Sequence, residues 1–237
     1  MMVHVGFDLP DLRAARARGD VLVLVDVLSF STTVAAGTAR GVVFLPAGSR
    51  RRAEALALER NALASVSRKD TAPGRYSLSP LDYAEAPAGL RVVLRSPNGA
   101  RMAVASKGAP AVIVAGIVNA SACGAAAAAG ANAAGRGVTV IAVGERIPGM
   151  RRRRFAAEDL LGAGAVARAV ELPRTGEAEV AVRAFESCRR DLEATLLSTT
   201  SGIELAGAGW REDVSFAARL DSLSCVPLLQ GGELRGR

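Results

Sequence analysis

Short apolar runs alternate with helix-like segments along the first 145 residues. The apolar runs are continuous in Val, Ile and Leu, which is typical of strands covered on both faces. The predicted strands are Val3–Phe7, Val21–Val25, Val42–Leu45, Arg91–Leu94, Ala111–Ala115 and Val138–Val143. The predicted intervening helices are Asp11–Arg18, Thr32–Ala39, Arg51–Asn61, Gly99–Ser106 and Ala120–Ala134. This order predicts an α/β fold, with a mainly parallel sheet covered by helices on both faces.

The pattern becomes more helical after about residue 145. The predicted elements here are the helices Phe155–Val170, Glu177–Leu197, Gly202–Ala208 and Glu212–Leu220, and a last strand at Cys225–Leu229. The arginine-rich stretch Ile147–Arg154 is predicted to be an exposed loop. We therefore predict an α/β portion over residues 1–145 and a mostly helical portion over residues 146–237. The two portions could also form one compact unit.

The charge of the chain changes this picture little. The 237 residues carry a formal net charge of +7, which could suit nucleic acid or an anionic small molecule. Only two of the thirty basic residues are lysine, and this arginine bias is more typical of a GC-rich genome than of a binding function. The runs Arg50–Arg52 and Arg151–Arg154 lack interleaved aromatic residues that would stack on bases. An arginine-rich nucleic-acid-binding protein is therefore the weaker alternative.

Several classes of protein and site are disfavoured by composition. No apolar run has the bulk of a membrane span and no signal peptide is recognisable, so we expect a cytoplasmic protein. The cysteines Cys123, Cys188 and Cys225 form neither a disulfide framework nor a metal pattern. The single histidine, His4, excludes a His-rich zinc site and a His-based triad. The remaining carboxylates, hydroxyls, arginines and helix N-termini suit a phosphate ester and Mg²⁺.

The stretch VDVLSFSTTV ends a predicted buried strand on Asp26 and then opens a helix. Ligands of open α/β sheets bind beyond the carboxyl ends of strands, where an acid can hold a divalent cation or transfer a proton. Ser31, Thr32 and Thr33 add hydroxyl donors to a helix N-terminus, which suits phosphate. Alternatively, Ser29 or Ser31 caps the helix and Asp26 supports that turn.

Later strand ends also carry polar residues. The motif RSPNGAR places Asn98 and Gly99 at a strand-to-helix turn, and IVNASA places Asn119 at another. Glu145 and Arg146 follow the strand after that. Such repetition favours one anion site formed between the turns. For Asn119 the alternative is an N-cap role, because asparagine is a leading N-cap residue.

Two acidic residues, Glu158 and Asp159, begin a later predicted helix. Adjacent helical residues point about 100° apart, so both need not face one ligand. Either they complete a Mg²⁺ site with Asp26, or they only interact favourably with the helix dipole, by a few tenths of a kcal/mol.

Four ordered segments resemble the 2-phosphosulfolactate phosphatase (ComB) family. They are VDVLSFSTTV, RSPNGAR, GERIPGMRRRRFAAEDLLGAGAV and SGIELAGAGWREDVSFAARLDSLSCVP, with LSPLDY as a further similar segment. The resemblance covers nearly the whole chain. It implies an α/β fold and Mg²⁺-dependent hydrolysis of the phosphate ester of 3-sulfolactate, a step of coenzyme M biosynthesis. The matching positions are Asp26, Thr32, Thr33, Asn98, Gly99, Asn119, Glu158, Asp159, Asp213, Asp221 and Pro227.

The sequence also departs from the family pattern. Ser29 stands where many members have arginine, Ala142 where cysteine is usual, and Ser201 where histidine is common. Ser96-Pro97 replaces a pair of threonines. These departures leave open whether the natural substrate differs. Arginines that could compensate for the one missing at position 29 are Arg95, Arg101 and Arg146.

We therefore expect a Mg²⁺-dependent phosphatase of a small phosphate monoester, 2-phosphosulfolactate or a related phospho-acid. The expected site residues are Asp26, Glu145 and Asp159 for catalysis, Ser31, Thr32, Thr33, Asn98, Gly99, Asn119 and Arg146 for substrate, and Asp26, Glu158 and Asp159 for metal. A non-catalytic anion-binding paralogue is the main alternative, and the nucleophile is either water or a carboxylate. We expect a small anionic phosphoester partner and neither nucleic acid nor membrane; a homodimer is left open.

Overall fold

The computed structural model of the protein describes residues 1–147 and 153–237, and a nine-stranded sheet forms its centre. The strands of this sheet are β1 (Val3–Phe7), β2 (Val21–Val25), β3 (Val43–Ala47), β4 (Leu63–Ala64), β5 (Arg91–Arg95), β6 (Val112–Val114), β7 (Val138–Ala142), β10 (Pro227–Gln230) and β11 (Glu233–Gly236). The short strands β8 (Glu145–Arg146) and β9 (Arg153–Arg154) pair separately as an antiparallel ribbon. The predicted loop over 147–154 thus falls mainly on residues outside the described ranges.

Helices connect most of these strands. They are α1 (Asp8–Arg18), α2 (Phe30–Ala39), α3 (Arg50–Arg60), α4 (Gly99–Ala105), α5 (Ala120–Ala134), α6 (Ala157–Ala169), α7 (Gly176–Cys188), α8 (Leu192–Ser198), α9 (Thr200–Gly207) and α10 (Arg211–Ala217). None of the helices within the described ranges combines the length and the apolar character needed to cross a membrane.

The sheet order is β1-β7-β2-β6-β10-β11-β3-β5-β4. The strands β1, β7, β2 and β6 are mutually parallel, and so are β3, β5 and β4. The antiparallel hairpin β10–β11 joins these two blocks, so the second block runs opposite to the first. The predicted α/β fold with a mainly parallel sheet is therefore confirmed.

The strand β2 shows why continuous apolar runs mark this sheet. All five of its residues are buried, and successive side chains point to opposite faces of the sheet. Val23 and Val25 pack into a core with α5, α6 and α7. Leu22 and Leu24 pack into a second core, which they share with Phe44 of β3. Both blocks therefore contribute side chains to this second core.

Residues of the second portion share the sheet and the core of the first. The hairpin β10–β11 lies in the middle of the sheet, and α6 packs closely over β2 and α7. Gly162 allows this approach, because a Cβ there would lie 2.6 Å from Val27 and 2.8 Å from Val25. A Cβ at Gly164 would overlap the backbone of Ala181 in α7. The two portions therefore pack against each other. A boundary between them near residue 145 stays a prediction.

The predicted helix over Glu177–Leu197 is wrong in one respect. A 3₁₀ turn at Arg189–Asp191 divides it into α7 and α8. This division redirects the chain, so that Leu192 and Leu196 reach the same core as Phe185 of α7. The favourable tertiary packing outweighs the continuous local helical pattern.

Candidate active site

Three loops meet beside the carboxyl ends of β1, β7 and β2. The loop after β2 carries Asp26, the loop after β7 leads to Glu145, and the loop after β5 carries Asn98. The first two belong to parallel neighbouring strands, whose ends lie at one edge of the sheet. The third comes from the opposite block and contacts the loop after β2, because the Gly99 N–H donates to Asp26. The sequence thus correctly predicts that these turns come together.

Asp26 is buried and lies at the centre of this meeting point. Its carboxylate Oδ2 accepts a hydrogen bond of 2.7 Å from the Gly99 N–H, which joins the loop after β5 to the loop after β2. Gly99 is required for this approach, because a Cβ at that position would overlap the Phe30 ring and lie 2.7 Å from Asp26 Oδ2. The Asp26 N–H donates to Ser31 Oγ at 2.8 Å, which fixes the turn into α2.

Asn98 links the loop after β5 to the ribbon β8–β9. Its side-chain Nδ2 donates to Glu145 Oε1 at 2.8 Å, and its Oδ1 accepts from the Arg146 N–H at 3.0 Å. Both ends of the amide are therefore used, which fixes its orientation. The contact places Glu145 close enough to Asp26 for the two carboxylates to repel each other.

Two further carboxylates come from the first turn of α6. Asp159 accepts hydrogen bonds of 2.8 Å from the Val27 N–H through Oδ1 and from the Gly144 N–H through Oδ2, so it joins the ends of β2 and β7. Glu158 is also buried, and its Oε2 has no hydrogen-bond partner within the described residues. We call Asp26, Glu145, Glu158 and Asp159 the carboxylate cluster.

Burial and mutual repulsion shift the proton affinities of this cluster. The pKa of Asp26 is raised from 3.8 to about 7, mainly by burial and then by the charge of Glu145. Burial also raises the pKa of Glu145. Burial, followed by the charges of Asp26 and Glu158, raises the pKa of Asp159 well above its usual value. A carboxyl group that titrates near neutral pH can both accept and donate a proton during turnover.

The predicted hydroxyl residues serve the turn into α2. Ser31, Thr32 and Thr33 are all fully buried. Thr32 Oγ1 donates to the Val27 carbonyl at 2.8 Å, and Thr33 Oγ1 donates to the Leu78 carbonyl at 2.7 Å. Ser31 Oγ lies 3.3 Å from the Leu24 carbonyl and also accepts from Asp26. Ser29 lies at the N-cap of α2 but its side chain makes no capping bond, and Ser31 lies inside the helix, so the capping alternative is not found. Phosphate binding by the three hydroxyls stays a prediction.

Asn119 has contacts of a different kind from those of Asn98. Its Oδ1 accepts from the Gly116 N–H at 2.8 Å, and its Nδ2 donates to the Cys225 carbonyl at 3.1 Å and lies 3.2 Å from Cys123 Sγ. Its side chain makes no capping bond to α5. These bonds connect the start of α5 to the segment before β10, so the structure gives Asn119 a structural setting. Its role in substrate binding stays a prediction.

Sequence reasoning missed two residues near these loops. Arg68 donates to Ser29 Oγ at 2.7 Å through Nη2 and to Asp213 Oδ2 at 2.9 Å through Nε. A short 3₁₀ turn carries Arg68, and no apolar pattern in the sequence marked it. Asp8 follows β1 as Asp26 follows β2, so its position at a strand end was a usable signal. Asp8 also has an unusual φ of +61°.

The carboxylate cluster has the oxygen donors that Mg²⁺ prefers, and Glu158 Oε2 is a buried acceptor with spare capacity. Over residues 1–147 and 153–237, no group of three or more His, Cys, Asp or Glu side chains is arranged to hold a metal ion. Mg²⁺ commonly binds through one or two carboxylates together with water and substrate phosphate, so a preassembled triad is not required. The cluster therefore fits Mg²⁺ in its chemistry, while the assignment of ligands stays a prediction.

The model of a family described as 2-phosphosulpholactate phosphatase matches residues 7–232 of the chain. The match includes every loop that contributes to the carboxylate cluster. No curated protein matches the chain.

Proposed function

Since the chain belongs to the 2-phosphosulpholactate phosphatase family, we propose that it hydrolyses a small phosphate monoester with the help of Mg²⁺. The proposed substrate is 2-phosphosulfolactate or a related phospho-acid. The observation that supports this proposal most strongly is the carboxylate cluster, in which Asp26 titrates near neutral pH beside Glu145. A buried set of like charges weakens the fold, and active sites are a frequent place for such arrangements.

Asp26 and Glu145 are the proposed proton-transfer groups. Hydrolysis forms a bond from phosphorus to an attacking oxygen, breaks the bond to the alcohol oxygen, and leaves that oxygen in need of a proton. Asp26 can supply or take this proton, because its pKa of about 7 keeps both forms populated at neutral pH. Either water attacks, and Asp26 and Glu145 transfer its proton and that of the leaving oxygen; or the Asp26 carboxylate attacks, Glu145 protonates the leaving oxygen, and a water then hydrolyses the aspartyl-phosphate bond. Glu145 is less buried than Asp26 and is better placed to meet solvent and substrate.

Glu158, supported by Asp159, would hold Mg²⁺, together with Asp26 if Asp26 acts as a ligand instead of transferring the proton. When bound, the ion would neutralise phosphoryl oxygens and lower the pKa of a coordinated water. Asp159 uses both oxygens to hold the ends of β2 and β7, so we assign it mainly to positioning these loops. Asn98 orients Glu145, and Gly99 orients Asp26 through its N–H.

The test is phosphate release from a panel of phosphate monoesters, with added Mg²⁺ and with EDTA. We expect Mg²⁺-dependent release, with phospho-acids among the better substrates, and none from an Asp26→Asn preparation made in the same way. If no ester releases phosphate while phospho-acids still bind, a non-catalytic anion-binding protein would replace this proposal.

A further inference from the structure

The turn from β2 into α2, over residues 26–30, presents Asp26 to the carboxylate cluster. We call it the Asp26 turn. The N–H of Phe30, like that of Gly99, donates to the Asp26 carboxylate. The orientation of the peptide between Ser29 and Phe30 therefore bears directly on the position of that carboxylate.

Ser29 lies at the N-cap of α2, but its side chain serves another contact. A serine at an N-cap usually accepts from an N–H of the first helical turn, and Ser29 makes no such bond. Its Oγ instead accepts a hydrogen bond of 2.7 Å from Nη2 of Arg68, a residue 39 positions later. Ser29 is only 3% exposed, so this bond is shielded from water. Arg68 thus contacts the chain beside the peptide whose N–H faces Asp26.

The same nitrogen of Arg68 supports the start of α2 by a second route. Arg68 Nη2 also donates to the Leu78 carbonyl at 2.9 Å, and that carbonyl accepts from Thr33 Oγ1 at 2.7 Å. The Thr33 N–H in turn donates to the Ser29 carbonyl at 2.9 Å. Arg68 therefore holds both ends of the first turn of α2, one directly and one through Leu78.

Arg68 can fix the Asp26 turn because its own position is fixed. Its Nε pairs with Asp213 Oδ2 at 2.9 Å, while Asp213 Oδ1 accepts from Ser79 Oγ at 2.6 Å. The Arg68 side chain is only 14% exposed, and its guanidinium lies 5.7 Å from the Trp210 ring. A planar guanidinium donates in set directions, so holding Nε also aims Nη2.

The hydrogen bonds of Arg68 exceed what an ion pair for stability requires. Such a pair needs only the bond between Arg68 and Asp213. Among the residues that the structure describes, the Arg68 side chain donates two further bonds, to Ser29 and Leu78, and both support the start of α2. Groups that carry out chemistry need supporting contacts of this kind, because their geometry must be held closely.

We propose that Arg68 is a positioning residue for the active site. Through Ser29 it fixes the direction of the Phe30 N–H, and with it the Asp26 carboxylate. Arg68 itself does not contact the substrate. The expected effect on catalysis rests on the proposed phosphatase function, but the order of the Asp26 turn can be measured without turnover.

The experiment compares two variants of the contact with one matched control. Arg68→Lys keeps a cation for Asp213, but a single ammonium group cannot reproduce the directed donors that reach Ser29 and Leu78. Ser29→Ala removes the acceptor and leaves the ion pair with Asp213 intact. The control is Arg91→Lys, which alters the partly buried ion pair between Arg91 of β5 and Glu233 of β11.

For each protein we would measure the melting temperature, the amide exchange rates by NMR, and kcat and KM. The substrate is the phosphate monoester of the panel that releases phosphate fastest. In Arg68→Lys and Ser29→Ala we expect kcat to fall by about tenfold or more, with KM within about twofold of the parental value. The amides of Phe30 and Thr33 should exchange faster in both variants, while those of α5 keep the parental rates. Arg91→Lys should keep the parental kcat and the parental exchange rates at the Asp26 turn.

The outcomes separate the two proposals. If the amides of Phe30 and Thr33 lose protection in both variants but even the parent hydrolyses no ester, Arg68 positions the turn and the phosphatase proposal fails. If the parent hydrolyses an ester and both variants keep the parental kcat and amide protection, the phosphatase proposal stands and the positioning proposal is overturned. A kcat that falls only in Arg68→Lys, together with its melting temperature, would also overturn it, since the ion pair would then act through stability alone.

Discussion

Asp26 and Asp213 are two buried aspartates near the same turn, with exposed fractions of only 5% and 2%, yet their surroundings are opposite. Asp213 accepts hydrogen bonds from Arg68 Nε at 2.9 Å and Ser79 Oγ at 2.6 Å. Asp26 instead lies near Glu145 and the other acids of the carboxylate cluster. Arg68 also contacts Ser29, just before α2, so one short turn separates the two settings.

This contrast distinguishes a structural charge from one available for chemistry. Arg68 neutralises Asp213 and lies 5.7 Å from the Trp210 ring, so the pair connects the turn before α2 to α10. No ion pair to the carboxylate cluster is present among the residues that the structure describes, and burial, followed by the charge of Glu145, raises the pKa of Asp26. A fold retains such a repulsive cluster at a cost in stability, which is reasonable where a proton or a cation is handled.

The largest expected effect is on catalysis at Asp26. Asp26→Asn keeps the size of the side chain and an oxygen for the Gly99 N–H, but removes the titrating group. We expect kcat to fall by roughly 10²–10⁴-fold, the usual contribution of a general acid or base. The free energy of unfolding, measured by urea titration, should be equal to or above that of the parent, because one buried repulsive charge is gone. Near-parental kcat would remove Asp26 from the mechanism.

The next effect is on stability at the Arg68–Asp213 pair. Arg68→Met leaves the Asp213 carboxylate buried without its cation, and we expect the free energy of unfolding to fall by about 3 kcal/mol. The matched control is Arg50→Met, which breaks an exposed ion pair with Glu54 and should cost well under about 1 kcal/mol. Urea unfolding of both variants beside the parent measures the difference. Equal losses in the two variants would show that Arg68 is not a structural anchor.

The local sequence pattern predicted the features of the Asp26 site that depend on where strands end. The bounds of β2 and α5 match the predicted ones, since a continuous Val/Leu run and an alanine-rich segment bracketed by strands each allow one assignment. Asp26 and Glu145 were expected to meet because they follow parallel strands of one sheet. The predicted helix over Glu177–Leu197 failed because tertiary packing, which no local pattern records, divides it.

The features that the sequence did not reveal depend on contacts between residues that lie far apart in the chain. The strand β11 has only one buried apolar residue, Leu234, so no apolar run announced it or the reversal of the second block. Arg68 lies in a segment without periodicity, and its partner Asp213 is 145 residues away. Arg153 was assigned to a loop, although it pairs with Arg146 in the β8–β9 ribbon.

The smallest expected effect is a dependence of stability on pH that arises from the carboxylate cluster. The pKa of Asp26 is about 7 in the folded chain and near 3.8 when unfolded, so between these values the folded state holds a proton that the unfolded state has released. The free energy of unfolding must therefore fall as pH rises through this window, by at most about 1.4 kcal/mol per pH unit for one proton. The raised pKa values of Glu145 and Asp159 act in the same direction.

We expect the melting temperature in EDTA to be higher at pH 5.5 than at pH 7, and Asp26→Asn to reduce that difference. A parental melting temperature that rises from pH 5.5 to pH 7 would contradict this prediction. It would mean that a group outside the contacts of Asp26 neutralises the carboxylate cluster in solution.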